Sequence, residues 1–495
     1  MDLQFPKSRC AWLSPVGGDQ KDLEETLELK LPENMPDIGK VLCGYGQALV
    51  RSKQWSREGA GISGGVMAWV LYLPEDGSGA RSVECWIPFQ AKWDVGQHDR
   101  DGVILAGCYL QNVDARSLSA RKLMVRVHVS VVANTMMENT EELCLPETLP
   151  EDVQVKKERF DGLLASEAGE KMVDLEETVS PPAGVRPEKL LHYCLHPFVT
   201  DCKLMADRAV FRGTALGHAL YRGEDGQIKC WDFQMPFSQY SELDKEYGPE
   251  ARLQVSVLPT GLEMELLSDG ALRLKVSMIG QYLVMEAKPI EVVTDAYSTA
   301  RALQMQTQAI RMPQVKAVIS QLVHANAQAQ TAMEQLHDCV FFPNGPQISP
   351  YGEKASAELS GSFQALGTDD GGSLCCENIP WQESMDLEEA GQGSLSMWQA
   401  SKCEAGVGSS MDANVELGIE GVVWEDVSIP MVTGVTLGDP LERAEQRPSL
   451  ILGRMAGDSL WELAKANATT KEKIMEANGL TQEPEKGSWL LIPVP

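Results

Sequence analysis

Three stretches of this chain alternate apolar and polar residues with a period of two: SARKLMVRVHVSVVA from Ser119, ALRLKVSMIGQYLVMEA from Ala271 and ANVELGIEGVVWEDV from Ala413. In the first, Leu123, Val125, Val127 and Val129 fall on one side, as a strand with one buried face requires. Ahead of each run stands a second pattern. These are GGVMAWVLYLPEDGSGARSVECWIPF ending at Phe89, FRGTALGHALYRGEDGQIKCWDFQMPF ending at Phe237 and ELSGSFQALGTDDGGSLCCENIPW ending at Trp381. Each holds an apolar strand, a turn rich in Asp and Gly, a second strand carrying Cys, then Pro and an aromatic residue. The turns are Glu75 to Gly77, Glu224 to Gly226 and Asp369 to Gly372. Asp-Gly permits the positive φ of a tight connection, so each pattern predicts a β-hairpin.

The two patterns recur in order at a steady period, which predicts internal triplication with the third copy most diverged. Pro88, Pro236 and Pro380 lie 148 and 144 residues apart, and the alternating strand, counted from Ala120, Ala271 and Ala413, begins 32, 35 and 33 residues after each. The expected fold class is mainly β and multidomain, with β-rich repeats over 22–140, 171–296 and 339–440. Residues 141–170 are charged and proline-bearing, as an exposed linker would be. Over 297–338, Val315, Val318, Ile319, Leu322 and Val323 fall at helical spacing, with Pro313 near the start, which predicts a helical connector.

From Ser449 the pattern changes to strand, helix, helix, strand, a βααβ domain over 448–495. Leu450 to Arg454 reads as the first strand. Ser459 with Glu462, and Thr469 with Glu472, have the spacing of capping boxes that start two helices. Leu460, Leu463 and Ala464 face inward from one, and Ile474 and Met475 from the other. Asn478-Gly479 stops the second helix, and Trp489 to Ile492 is a strand ended by Pro493.

Motifs that carry chemistry elsewhere lose it in this context. GAGISGG at Gly59 to Gly65 contains both GxGxxG and GxSxG, but each needs a following helix, and VMAWVLYL reads as a strand. Ser119 and Lys122 fit SxxK, yet Lys122 sits within an alternating strand. His192, Cys194 and His196 in HYCLH lack a fourth nearby ligand and read as structural. The expectation is therefore no enzyme, no catalytic residue, no metal and no cofactor.

Hydrophobic residues make up 43% and charged residues 23%, the balance of a folded chain. A net charge of −28 repels phosphate backbones and anionic lipid, which argues against nucleic-acid and membrane-surface partners. The twelve cysteines form no CxxC pair and read as reduced thiols. The start lacks the apolar run of a signal peptide, and VMAWVLYL, from Val66 to Leu73, is too short to insert in a bilayer. A cytoplasmic location is expected.

The last 45 or so residues resemble a LysM domain, on Gly457-Asp458-Ser459-Leu460-Trp461, Ala464-Lys465, Asn478, Leu480, Gly487 and Leu490-Leu491-Ile492-Pro493. Arg454 departs from the family, which usually has an apolar residue at that strand position. The resemblance implies a groove for N-acetylglucosamine polymers between the loop Ala456 to Leu460 and the loop Asn478 to Glu483. Its expected ligand or partner residues are Gly457, Asp458, Ser459, Leu460, Asn478, Gly479 and Leu480.

The repeats resemble the SPOCS domain of bacterial spore-coat proteins, on Leu31-Pro32 to Asp37-Ile38, Gly44 to Gly46, Trp86-Ile87-Pro88-Phe89 and the second copy ending at Phe237. SPOCS repeats followed by one LysM resemble the SipL-type spore-coat morphogenetic proteins of endospore formers. That resemblance implies a non-enzymatic scaffold in the mother cell, at the forespore surface, whose LysM engages the coat-basement ATPase or other coat proteins. Peptidoglycan binding is the alternative.

Overall fold

The computed structural model describes residues 2–56, 59–96, 101–351, 354–387, 391–442, 448–455 and 459–494. Its strand pairing recurs three times. In the first unit, the last strand, Lys122–Cys144, pairs antiparallel with both Gln20–Lys30 and Gly102–Ser119. In the second, Leu272–Ser298 lies between Val153–Val179 and Arg252–Leu266. In the third, Met411–Pro440 lies between Arg301–Ala329 on one edge and Gln392–Gln399 with Glu404–Val407 on the other. Each unit also carries a three-stranded antiparallel meander. The meanders are Ile38–Ser56, Gly59–Pro74 and Arg81–Trp93; then Pro187–Met205, Arg208–Gly223 and Ile228–Glu242; then Met333–Pro343, Lys354–Asp369 and Leu374–Leu387.

The meanders match down to their irregularities. Bulges fall between Val41 and Cys43, between Leu190 and His192, and between Leu336 and Asp338, so Cys43, His192 and Asp338 occupy one equivalent position. The shared Pro-aromatic ending has a packing reason. Phe89 lies opposite Gly64, Phe237 opposite Gly213 and Trp381 opposite Gly361. A Cβ on Gly213 would stand 2.3 Å from the Phe237 ring and 2.2 Å from the Phe198 carbonyl, so the ring covers the space only glycine leaves.

The three meanders close into a ring. Arg81–Trp93 lies against Pro187–Met205, Ile228–Glu242 against Met333–Pro343, and Leu374–Leu387 against Ile38–Ser56. One middle-strand position links each unit to the next. Trp69, opposite Tyr45, packs edge-on against His192 at 5.1 Å and Tyr193 at 4.7 Å. His218, opposite Cys194, approaches Asp338 at 3.0 Å. Gln364, opposite Val340, donates to the Gly44 carbonyl at 3.0 Å. A single buried cluster accordingly contains Val66, Phe211 and Leu366, one from each unit.

The link at His218 is ionic. Its Nδ1 lies 2.7 Å from Asp232, and its Nε2 makes a charge contact with Asp338, whose side chain is 1% exposed, without meeting hydrogen-bond geometry. Burial lowers the imidazole pKa, but the Asp338 charge, with the hydrogen bond and charge of Asp232, outweighs it and raises it to about 10.

Two stretches differ from the sequence expectation. The linker over 141–170 is mostly strand: Lys122–Cys144 runs into it and Val153–Val179 begins within it. Its alternating charges belong to the exposed positions of a paired strand, while Leu164 and Ala165 are fully buried. The helical connector over 297–338 is instead the end of Leu272–Ser298, the strand Arg301–Ala329 and the start of Met333–Pro343. There Ala317 and Ile319 pack into one apolar cluster while Val315, across a bulge, packs with Val318 into another, and Leu322, which a helix would bury, is exposed. Bulges at Gln306/Thr307 and Val315/Ala317 shift the phase of the alternation, and the displaced period imitates helical spacing. The third unit therefore starts at Arg301 rather than at residue 339.

His218 contributes stability that is fully present below its unfolded pKa of about 6.5 and is lost as pH rises through about 10. His218→Ala, which leaves the Asp338 carboxylate buried without its countercharge, should cost about 3–5 kcal/mol. Denaturant unfolding at pH 6 and pH 9.5 checks both: wild type should lose stability over that interval more steeply than the variant, and equal slopes would refute the ion-pair reading.

Candidate functional site

After Pro440 the chain forms the antiparallel pair Leu450–Arg454 and Trp489–Pro493, joined through α1, Leu460–Ala466, and α2, Lys471–Ala477. Ser459 caps α1, its side chain accepting from Trp461 N at 3.0 Å. Leu460, Trp461 and Ala464 are buried on the inward face, and Ile474 meets them from α2. The cap of α2 is Thr470, accepting from Lys473 N, rather than the expected Thr469. Thr469 is fully buried and its carbonyl is used elsewhere, as described below.

Of the expected groove residues, Gly457 and Asp458 lie outside the described residues. Leu460 is buried, and Leu480 packs against the same apolar cluster. Gly479 has φ +62°, the left-handed geometry that ends α2. Asn478 is committed to the scaffold: its Nδ2 donates to the Ile474 and Leu491 carbonyls at 2.7 Å each, and its Oδ1 accepts from Leu491 N at 2.8 Å. It ties the end of α2 to the last strand and so positions the following loop, where Gly479, Thr481, Gln482 and Glu483 are exposed. A Lys471 to Glu483 ion pair tethers that loop to α2. Arg454 carries no burial penalty, because it is exposed, sits opposite Trp489 and donates to the Gly487 carbonyl at 3.1 Å.

The domain is docked on the second unit, a feature the sequence did not announce. A bulge between Val293 and Asp295 interrupts the end of Leu272–Ser298, and beyond it Asp295 and Tyr297 meet α1. Asp295 accepts from Trp461 Nε1 at 2.7 Å and from Lys465 Nζ at 2.7 and 2.8 Å. The Tyr297 ring meets Trp461 edge-on at 4.8 Å, and its hydroxyl donates to the Thr469 carbonyl at 2.8 Å. Next to them, Arg301 grips Asp152 through two nitrogens at 2.7 and 2.9 Å, which fixes the turn below. Trp461 and Lys465 belong to the quoted LysM pattern, but Asp295 lies 166 and 170 residues away from them. No local signal could pair them.

The enzyme-like motifs sit in other settings. Gly59 to Gly65 lies inside the strand Gly59–Pro74, where Ser63 is paired with Ser52 and Gln90 rather than standing at a strand-to-helix turn. His192 stacks on Tyr45 at 4.4 Å, and burial holds its imidazole well below the ordinary range. Burial likewise lowers His196 to about 4, with Cys194 Sγ 3.4 Å from its Nε2. Among the described residues, no group of three His, Cys, Asp or Glu is placed to hold a metal ion, and no helix is long and apolar enough to cross a membrane.

Burial pushes the Asp295 carboxyl up, but the hydrogen bonds from Lys465 and Trp461 outweigh it and hold it below the ordinary value. Its contribution is therefore present above about pH 4 and lost as pH falls into the depressed range. Asp295→Asn should weaken docking by about 1–3 kcal/mol. Hydrogen exchange should then quicken in α1 and in the end of Leu272–Ser298 together, leaving the meanders unchanged; unaltered exchange in α1 would contradict the docking.

Residues 456–483 match the LysM domain family model. Neither the curated proteins nor the solved structures contain a match to this chain.

Proposed function

We propose that the chain binds an N-acetylglucosamine-containing polymer through its LysM domain, and that the β ring is a non-enzymatic scaffold holding this groove in a fixed orientation. The observation that carries the reading is the LysM match over residues 456–483, which spans both loops of the expected groove. Docking supports it. The contacts to Asp295 and Tyr297 use Trp461, Lys465 and Thr469, while Gly479 and Thr481 to Glu483 stay exposed. Asn478 acts by positioning that loop, and Asp458 is the expected polar contact to sugar.

Calorimetry of the full chain with an N-acetylglucosamine pentamer should show binding that removal of residues 448–495 abolishes and Asp458→Ala weakens at least about tenfold, or about 1.4 kcal/mol. Absent binding, or binding that survives the truncation, would overturn the reading.

A second reading is favoured by the outer face of the small sheet. Leu450, Leu452, Trp489 and Leu491 are exposed there, Leu452 by 61% and Trp489 by 65%, an apolar surface suited to a protein. In this reading the chain is a cytoplasmic spore-coat assembly scaffold of the SPOCS and LysM type, and the domain recruits a coat protein. Leu452→Ser with Trp489→Ser should then release a partner captured from sporulating cells while sugar binding persists. Retention of that partner, or its absence, would rule the second reading out.

A further inference from the structure

Where the second and third units meet, a cavity of about 400 Å³ is lined by Cys194, His196, His218, Asp232, Cys339 and Cys403. Two of its walls are thiols in contact: Cys403 Sγ lies 3.4 Å from Cys339 Sγ, across 64 residues of sequence. Cys339 is fixed in the meander strand Met333–Pro343, paired with Ala365. Cys403 immediately precedes the strand Glu404–Val407, which is paired with Met411–Asn414 and lies against Met333–Pro343. Cys339 thus sits in paired backbone and Cys403 one residue before a paired strand, and both are half-buried on the cavity wall, where a small molecule can reach them.

From this geometry we infer that Cys339 and Cys403 are an oxidation site, converted to a disulfide by hydrogen peroxide that enters the cavity. The sulfurs need to close only from contact distance to the roughly 2.05 Å of an S–S bond. One thiolate attacks the peroxide O–O bond, giving a sulfenic acid and releasing hydroxide. The second sulfur then displaces hydroxide from the sulfenic sulfur, forming the S–S bond. The two thiol protons convert the two hydroxides to water, and two electrons pass from the sulfurs to the peroxide. The hydrogen bond with Cys339, burial, and the Asp338 and Asp232 charges together hold the Cys403 thiol far above its ordinary range.

The product ties the strand Glu404–Val407 to the meander strand Met333–Pro343, closing a loop within the third unit. It fastens the wall of the unit that carries Asp338, the partner of His218.

The test treats the native full-length chain with hydrogen peroxide, blocks free thiols by alkylation, and maps linked peptides by mass spectrometry without reduction. The expected result is a linkage between the peptides holding Cys339 and Cys403, with alkylatable thiols after unfolding falling from twelve to ten. Reduction should restore all twelve. Cys403→Ser and Cys339→Ser should each remove the linkage, and the wild-type map stands even if one variant fails to fold. Recovery of Cys339 and Cys403 both alkylated after prolonged oxidation, or linkage of either to a third cysteine, would overturn the inference.

Discussion

The structure depends on each meander covering the open edge of the next. A three-stranded sheet standing alone leaves edge backbone groups and one apolar face exposed, and either invites wrong pairing. Here the third strand of every meander lies against the first strand of its neighbour, and the third neighbour is again the first. The same middle-strand position makes the link each time with different chemistry: Trp69 by aromatic packing, His218 by an ion pair and Gln364 by a hydrogen bond. Because the contacts form a cycle, removing one unit uncovers two others. The units are separate in sequence and joined in stability.

The terminal LysM domain stands in a different relation to the rest. It has its own small core around Leu460, Ala464, Ile474 and Ile492, and it shares Tyr297 with the ring. Its attachment concentrates on Asp295, where a carboxylate receives an indole N–H and an ammonium at once. Charge-assisted hydrogen bonds of this kind fix orientation as well as contributing energy. A domain mounted this way points in one direction relative to the ring.

Much of this was legible in the sequence, for local reasons. The Asp-Gly turns at Asp76, Asp225 and Asp370 announced hairpins because only a few residues tolerate positive φ, and Gly77, Gly226 and Gly372 all adopt it. Ser459 and Asn478 marked helix ends where capping chemistry is local. What escaped was non-local. Val315 to Val323 looked helical because bulges displaced the alternation of a strand 29 residues long, and the strand Val153–Val179 looked like a linker because its exposed face is charged. Asn478 illustrates a subtler limit: its place at the end of α2 was legible, but its engagement with Leu491 was not.

Ring closure is the claim on which the rest stands, and hydrogen exchange in graded denaturant tests it most directly. Cys43, His192 and Asp338 occupy one equivalent position in the three meanders, so their strands report on the three units in parallel. A closed ring predicts that all three strands become exchangeable in a single transition at one free energy. Three separate transitions, with one unit opening while the other two stay protected, would contradict it.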